Sequence, residues 1–174
     1  MFSNEFETIV EQNYEQLYRF ALSLTRTAAD ATELTQQTFH VWATKGHQLR
    51  DRSKVKTWLF TTLHRQFLES RRRLTRFPHH ELEAVSNELP AISPKTALRL
   101  DSAQVVRALA RVDEVYQAPV ALFYLEDCSY KEIAEMLDVP MGTVKSRISR
   151  GIAQLQRLLA NDISAAGRGE KTKL

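Results

Sequence analysis

The apolar positions of the first seventy residues recur at steps of three and four, as they do on one face of an amphipathic helix. A first helix is predicted over residues 6–22, where Glu and Gln separate the apolar side chains. A second should begin near residues 27–30, with Asp30 capping free N–H groups, and end at Gly46, because glycine accepts a left-handed turn. A third is predicted from about Val55, and its apolar face ends near Leu68.

Pro78 interrupts this periodicity, and residues 78–94 contain two further prolines and no Lys or Arg. We interpret this stretch as an interdomain linker. Helical periodicity resumes over residues 97–112 and again over 119–125, and no stretch sustains the alternation of a strand for long. The predicted fold is all-α, with two small helical bundles joined by a flexible linker. The predicted boundaries are 1–77 and 97–161 for the bundles, 78–96 for the linker and 162–174 for a disordered tail.

The strongest local motif begins at Ser129. Ser129 and Glu132, three residues apart, form the pattern of a capping box. The helix that they begin should stop before Pro140, which prevents it from fusing with the next helix. After a short turn, Gly142 and Thr143 begin a second helix with a basic face. The pattern predicts a helix-turn-helix.

The second helix of this motif is suited to the major groove of DNA, which admits an α-helix. Its first turns present Thr143, Ser146 and Arg147 to base edges, while Lys145 and Arg150 would neutralise phosphates. Lys131, on the supporting helix, would hold the DNA backbone. The alternative is a plain helical hairpin with a solvated basic face.

The net charge of +3 is unevenly distributed along the chain. Residues 1–45 carry a net charge of −3 and residues 46–76 carry +7. Residues 77–127 carry −4 and residues 128–174 carry +3. Two basic blocks separated by an acidic middle indicate a polyanionic partner that is contacted at two places.

Several classes of protein are disfavoured by composition. The longest apolar run, residues 120–125, is far shorter than the roughly 20 residues of a membrane span. The N-terminus lacks the pattern of a signal peptide. Cys128 is the single cysteine and cannot form an intramolecular disulfide. We therefore expect a cytoplasmic protein without membrane insertion.

No arrangement of residues typical of catalysis occurs in the sequence. His79 and His80 form a histidine pair without a cysteine cluster, so metal-site spacing is lacking. Five scattered glycines do not make a phosphate-binding loop. We expect neither an enzyme nor a metal or cofactor site.

Two blocks of the sequence resemble the extracytoplasmic-function (ECF) RNA polymerase sigma factors, group IV of the sigma-70 family. Residues 128–151 resemble region 4 of that family, and residues 17–21, 30–39 and 58–60 resemble its region 2. The resemblance covers roughly residues 5–160. Region 4 alone is ambiguous, because other bacterial regulators use similar helix-turn-helix domains; the two blocks in this order are much more specific.

The resemblance implies two contacts with core RNA polymerase. The second helix of region 2 would dock on the clamp helices of the β′ subunit, and region 4 would meet the β flap. The family usually has acids where Thr32 and Gln37 stand, so this surface is less negative than is typical. The positions that match the docking helix are Glu33, Leu34, Gln36, Gln37 and Phe39.

The resemblance also places residues 46–76 where the family recognises and opens the promoter minus-ten element. Melting requires bases to leave the stack, and contacts with pockets and phosphates offset that cost. The basic run at 71–73 could instead be a solvated charged face. The matching residues are Gln48, Arg50 and Arg52 in the loop that would hold a flipped base, and His64, Arg65, Arg71, Arg72 and Arg73 along the strand.

The implied function is that of a sigma factor that joins core polymerase, reads the minus-thirty-five and minus-ten elements of promoter DNA and aids opening. An anti-sigma factor is a further expected partner, as is common in the family. The acidic linker would thread the polymerase channel or serve as a solvated tether. Two alternatives remain: a stand-alone helix-turn-helix regulator that binds duplex DNA without polymerase, and a helical adaptor.

Overall fold

The structure is a computed structural model that describes residues 2–76 and 97–169. The predicted linker over 78–96 and its histidine pair lie outside these residues. The described residues form seven α-helices and no strand, which confirms the all-α fold class. The helices are α1 (Phe2–Thr25), α2 (Ala28–Lys45), α3 (Val55–Arg76), α4 (Ala97–Leu109), α5 (Glu114–Tyr124), α6 (Tyr130–Leu137) and α7 (Met141–Gly169).

Helices α1 to α3 form the first bundle, whose core is the apolar stripe predicted from the periodicity. Leu17 and Phe20 of α1 meet Leu59, Phe60 and Leu63 of α3, and all five side chains are fully buried. The rings of Phe20 and Phe60 lie 5.3 Å apart. Burying each of these side chains contributes roughly 1.5–3 kcal/mol, so the stripe is the main source of stability in this bundle.

Both ends of α2 differ from the prediction in their chemistry. The N-cap is Thr27 rather than Asp30: the Thr27 hydroxyl accepts the N–H of Asp30, which is already inside the helix. Gly46 follows α2 with right-handed dihedral angles, so no left-handed turn requires it. Its role is steric, since a Cβ at this position would lie 2.6 Å from the Trp42 ring.

Helices α4 to α7 form the second bundle around the buried side chains of Leu109, Leu122, Ile133 and Val144. The apolar pattern from 97 to 112 is broken after Leu109, where α4 ends.

Helix α5 begins earlier than the periodicity from 119 onward suggested, and Pro119 lies inside it. Buried Gln117 explains the turn between α4 and α5. Its amide donates hydrogen bonds to the carbonyls of Ala110 and Val112, which no helix satisfies.

The predicted disordered tail is wrong for residues 162–169, because α7 continues to Gly169. No proline interrupts the chain after Pro140, and several alanines favour the helix. Asp162 also pairs with Arg111 at 2.9 Å, which ties this end of α7 to the α4–α5 turn. Residues 170–174 lie outside the described part of the chain.

The two bundles pack against each other. Helix α1 lies against α4 and α5, and α3 lies against α6. Buried apolar residues of both bundles belong to one continuous cluster. The structure therefore brings the predicted minus-ten and minus-thirty-five surfaces close together.

A matched pair of glycines in α7 tests the packing of the second bundle. A Cβ at Gly151 would overlap the side chain of Val120 and approach the Cβ of Tyr116 at 2.9 Å, whereas one at Gly142 would meet nothing within 4 Å. We expect Gly151→Ala to lower the free energy of unfolding by about 1–3 kcal/mol through overpacking. Gly142→Ala should be neutral or stabilising by up to about 1 kcal/mol. Urea denaturation measures both, and equal effects would contradict the close approach of α5 and α7.

Candidate nucleic-acid and polymerase interfaces

The helix-turn-helix is formed by α6 and the first half of α7. The predicted capping box is present: the Ser129 hydroxyl accepts the Glu132 N–H at 3.2 Å, and the Glu132 carboxylate accepts the Ser129 N–H at 2.7 Å. These hydrogen bonds lower the pKa of Glu132, which therefore stays charged. Helix α6 ends at Leu137, and the left-handed backbone of the capping residue Asp138 (φ 54°) turns the chain towards α7. Aspartate tolerates this conformation better than most residues do.

The exposure of the helix-turn-helix follows the predicted pattern with two exceptions. Val144 and Ile148 are buried, which fixes the orientation of the helix. Four predicted DNA contacts are exposed and two, Thr143 and Arg147, are partly buried. The exposed four are Lys131, Lys145, Ser146 and Arg150.

The loop between α2 and α3 is held by its own polar contacts. Asp51 accepts the N–H and hydroxyl of Ser53 and so caps the short turn Arg52–Lys54. Arg52 bonds the Gly46 carbonyl at 3.3 Å, pairs with Glu5 at 3.1 Å and lies over the ring of Trp42. Arg52, predicted as a DNA contact, is thus engaged in shaping the loop. Gln48 and Arg50 are exposed beside it.

The predicted DNA contacts along α3 differ in what they touch. Arg65 and Arg72 are exposed. Arg73 pairs with Glu69 on the same helix at 2.7 Å, and Arg71 pairs with Glu114 of α5 at 2.7 Å. The Arg71–Glu114 pair is about half exposed and the Arg73–Glu69 pair is mostly exposed, so each is individually weak. In this structure both arginines are therefore paired with carboxylates rather than left free for phosphates.

His64 is partly buried and lies near Arg147 of the second bundle. Burial, assisted by the positive charges of Arg147 and Arg65, lowers the pKa of His64 to about 4. The imidazole is neutral near pH 7 and contributes no positive charge to the basic face.

The proposed docking helix α2 exposes only part of its predicted surface. Glu33, Gln36 and Gln37 are exposed, and the Gln37 amide donates to the Glu33 carboxylate at 2.9 Å. Leu34 and Phe39 are 6% exposed and belong to the core of the first bundle. Because their side chains face inward, the surface that α2 offers a partner is the polar one.

Among the described residues, the most deeply buried ion pair is one that no sequence pattern predicts. Glu126, just after α5, is 4% exposed, and its carboxylate accepts two hydrogen bonds from Arg19 of α1, at 2.8 and 2.9 Å. Burial raises the pKa of Glu126 although the Arg19 hydrogen bonds oppose that effect. Nothing in a single sequence distinguishes this acid from its exposed neighbours, because its partner is more than a hundred residues away.

Cys128 is buried beside this pair. Burial raises the pKa of its thiol to about 11, so the sulfur stays protonated and unreactive.

No group of three or more His, Cys, Asp or Glu side chains in the described part of the chain could hold a metal ion. None of the described helices combines the length and the apolar character needed to cross a membrane.

Two family models match this chain. Sigma-70 region 2 matches residues 9–77, and Sigma-70, region 4 matches residues 102–155. The first range covers the first bundle, and the second contains the helix-turn-helix. Together they define a protein of the sigma-70 class.

The chain is similar to individual sigma factors as well. ECF RNA polymerase sigma factor SigE of Mycolicibacterium smegmatis is 32% identical over 91% of this chain, which spans 63% of that protein. ECF RNA polymerase sigma factor SigM of Mycobacterium tuberculosis is 30% identical over 88% of this chain, and the match covers 76% of SigM. The sigma factor RpoE of Bartonella quintana, crystallised with the anti-sigma factor NepR, has 25% identity and a TM-score of 0.75, covering 90% of this chain and 97% of RpoE. The chain therefore belongs to the ECF family of RNA polymerase sigma factors.

The position of His64 predicts a pH dependence of stability. Its pKa is about 4 in the folded protein against an ordinary value of 6.5, so the unfolded chain takes up the proton first. The free energy of unfolding that the lowered pKa of His64 contributes is fully present above about pH 6.5 and is lost as the pH falls towards 4. Between pH 7 and pH 5 we expect the wild type to lose about 2 kcal/mol more than His64→Gln, measured by urea denaturation. Identical losses in both proteins would show that His64 is not buried.

Proposed function

We propose that this protein joins core RNA polymerase reversibly, directs it to promoters through the minus-thirty-five and minus-ten elements and helps to open the duplex. The observation that carries the proposal is the presence, in one chain of the ECF family, of a helix-turn-helix with an exposed basic helix and a first bundle with a +7 block. Its role is regulatory rather than enzymatic. It acts in the cytoplasm, where RNA polymerase acts.

The minus-thirty-five element would be read by α7. Ser146 and Arg147 lie in the first turns of this helix, where side chains reach base edges in the major groove. Lys145 and Arg150, both exposed, would neutralise phosphates together with Lys131 of α6.

The minus-ten element would be opened by the first bundle. Gln48 and Arg50 project from the loop that Arg52 holds in place, and this loop would take up an extruded base. Arg65 and Arg72 would follow the phosphates of the separated strand. Extruding a base costs a few kcal/mol, which stacking and charge neutralisation offset.

Two surfaces would contact core polymerase. Glu33, Gln36 and Gln37 form an exposed polar strip on α2 that would dock on the β′ clamp helices. The second bundle would meet the β flap, and the acidic segment of residues 78–94 would lie in the polymerase channel. An anti-sigma factor is a further proposed partner, because the similar RpoE of Bartonella quintana was crystallised with one.

Run-off transcription tests the proposed function directly. Purified core polymerase, this protein and DNA from upstream of its own gene should give a promoter-dependent transcript that neither protein gives alone. Absence of such a transcript on several templates, with anti-sigma contamination excluded by mass spectrometry, would contradict the proposal. A footprint on duplex DNA without polymerase would favour a stand-alone regulator. The adaptor alternative predicts no salt-dependent DNA binding.

Arg147 provides a test of the recognition helix with a matched control on the same helix. Arg147→Ala should lower minus-thirty-five-dependent transcription about tenfold, because one bidentate base contact is worth roughly 1–3 kcal/mol. Binding to core polymerase should be unchanged. Arg157→Ala, ten positions further along α7 and exposed, should affect neither. Loss of both activities in Arg147→Ala would indicate misfolding rather than lost recognition.

The docking surface is best tested at Glu33, since the burial of Leu34 makes substitutions there disruptive to the fold. Reversing the charge with Glu33→Arg should weaken co-purification with core polymerase about tenfold, equivalent to about 1.4 kcal/mol. Glu11→Arg makes the same charge change at an exposed position of α1 and serves as the control. Equal binding by the two variants would exclude this face of α2.

A further inference from the structure

One ion pair joins the first turn of α1 to the loop between α2 and α3, residues 46–54. Glu5 Oε1 lies 3.1 Å from Nη2 of Arg52. The predicted minus-ten contacts lie in this loop or in α3, and residues 1–45 carry a net charge of −3. Glu5 therefore reaches the loop from a helix that carries none of the proposed DNA contacts.

Arg52 is held by three groups that belong to different segments. Besides pairing with Glu5, its guanidinium donates to the Gly46 carbonyl at 3.3 Å and lies over the Trp42 ring, 5.7 Å from the ring centre. A guanidinium presents its donors in a rigid fork, so two polar partners and an aromatic face together restrict its orientation. Each contact is weak by itself, since the Glu5–Arg52 pair is about half exposed. Their common effect is to hold the middle of the loop against α1 and α2.

Apolar packing does little to fix this loop. Of residues 46–54 only Gly46 is buried, and Leu49 is partly buried. Glu5 and Arg52 both line a cavity of about 580 Å³, so core side chains do not fill this side of the loop. An exposed segment with few buried contacts opens locally at a low cost in free energy. The position of the loop therefore depends on its polar contacts.

The other polar contacts of the loop do not replace the tie to α1. Asp51 accepts hydrogen bonds from Ser53, which shape the loop internally but attach it to no helix. Lys54 pairs with Glu135 of α6, which belongs to the second bundle. Among the described ion pairs, the one between Glu5 and Arg52 attaches the loop to the first bundle.

The position of Glu5 has an electrostatic cost. Its carboxylate lies beside the loop that would meet DNA, and it repels the negative charge of phosphates. It also compensates the charge of Arg52, which then attracts a phosphate less strongly. A carboxylate at this place favours recognition only if holding the loop matters more than the charge of Arg52.

We propose that Glu5 is a positioning residue for minus-ten recognition. Through Arg52, it holds residues 46–54 in the conformation that presents Gln48 and Arg50 to an extruded base. Arg52 thus acts by fixing the loop rather than by contacting a phosphate. What the loop reads rests on the proposed function, whereas the attachment of the loop to α1 does not.

The minus-ten preference of reconstituted holoenzyme measures this role. Transcription from a promoter identified by run-off is compared with transcription from templates in which single minus-ten bases are changed. Glu5→Gln should lower the ratio between the two about twofold to fivefold, the range expected for loss of an exposed ion pair. Removal of a negative charge alone would strengthen binding to every template and leave the ratio unchanged. A ratio equal to that of the wild type, or above it, would overturn the proposal.

Glu11 provides the matched control. Glu11→Gln removes the same charge from an exposed position of α1 and should leave the ratio unchanged. Co-purification with core polymerase and the free energy of unfolding should stay close to the wild-type values in both variants. An equal fall of the ratio in both variants, or loss of core binding by Glu5→Gln, would overturn the positioning role.

Arg52→Lys separates positioning from phosphate contact. Lysine keeps the positive charge but lacks the planar fork that reaches both Glu5 and the Gly46 carbonyl. The ratio should fall as it does in Glu5→Gln, and combining the two substitutions should lower it little further, because both break the same contact. A wild-type ratio in Arg52→Lys would show that only the charge matters and would contradict the proposal.

Hydrogen exchange of the free chain tests the attachment of the loop without DNA. The amides of residues 46–54, followed by mass spectrometry, should exchange about twofold to fivefold faster in Glu5→Gln than in the wild type or in Glu11→Gln. Unchanged exchange would overturn the attachment. Failure of the proposed function would leave the wild type without a promoter-dependent transcript while this difference in exchange remained. Failure of the positioning role would leave the wild type active and Glu5→Gln with the wild-type minus-ten ratio.

Discussion

A buried carboxylate determines how the two halves of this protein are arranged. Glu126 lies between α5 and the capping box of α6, and its charge is compensated by Arg19 of the first bundle. Burying a charge without a partner costs several kcal/mol, so this residue restricts the positions that the second bundle can take. The helix-turn-helix begins three residues later, at Ser129, so its position depends on that of Glu126.

The basic surface of the first bundle pairs with carboxylates of the second, and it would meet the phosphates of DNA with the same chemistry. Guanidinium groups bind carboxylates and phosphates in the same bidentate geometry. Arg71 on Glu114 is thus chemically similar to an arginine on a DNA backbone. The cations that hold the bundles together and those that would hold DNA overlap, and intramolecular acids and promoter phosphates would compete for them. The segregation of charge along the sequence therefore brings the two bundles of the chain together, in addition to favouring a polyanionic partner.

The parts of the fold that depend on near neighbours could be predicted from the sequence. The capping box of Ser129 and Glu132 involves residues three apart, and the apolar stripes of α1 and α3 repeat every three or four residues, so each leaves a local signal. Chemistry at helix ends was less predictable. Thr27 and Asp30 can both cap α2, and the contact of Gly46 with the Trp42 ring depends on the path of the chain between them.

The sequence by itself determined the all-α class, the helix-turn-helix and the family, because these follow from short-range spacing and from motifs in a fixed order. The tertiary structure alone decided which candidate residues are accessible. Leu34 and Phe39 face the core, Arg52 shapes its loop, and His64 is partly buried near Arg147. The packing of the helices also determined that Glu126 pairs with Arg19. Accessibility and ion pairing depend on segments far apart in the chain, and these meet only when the helices pack.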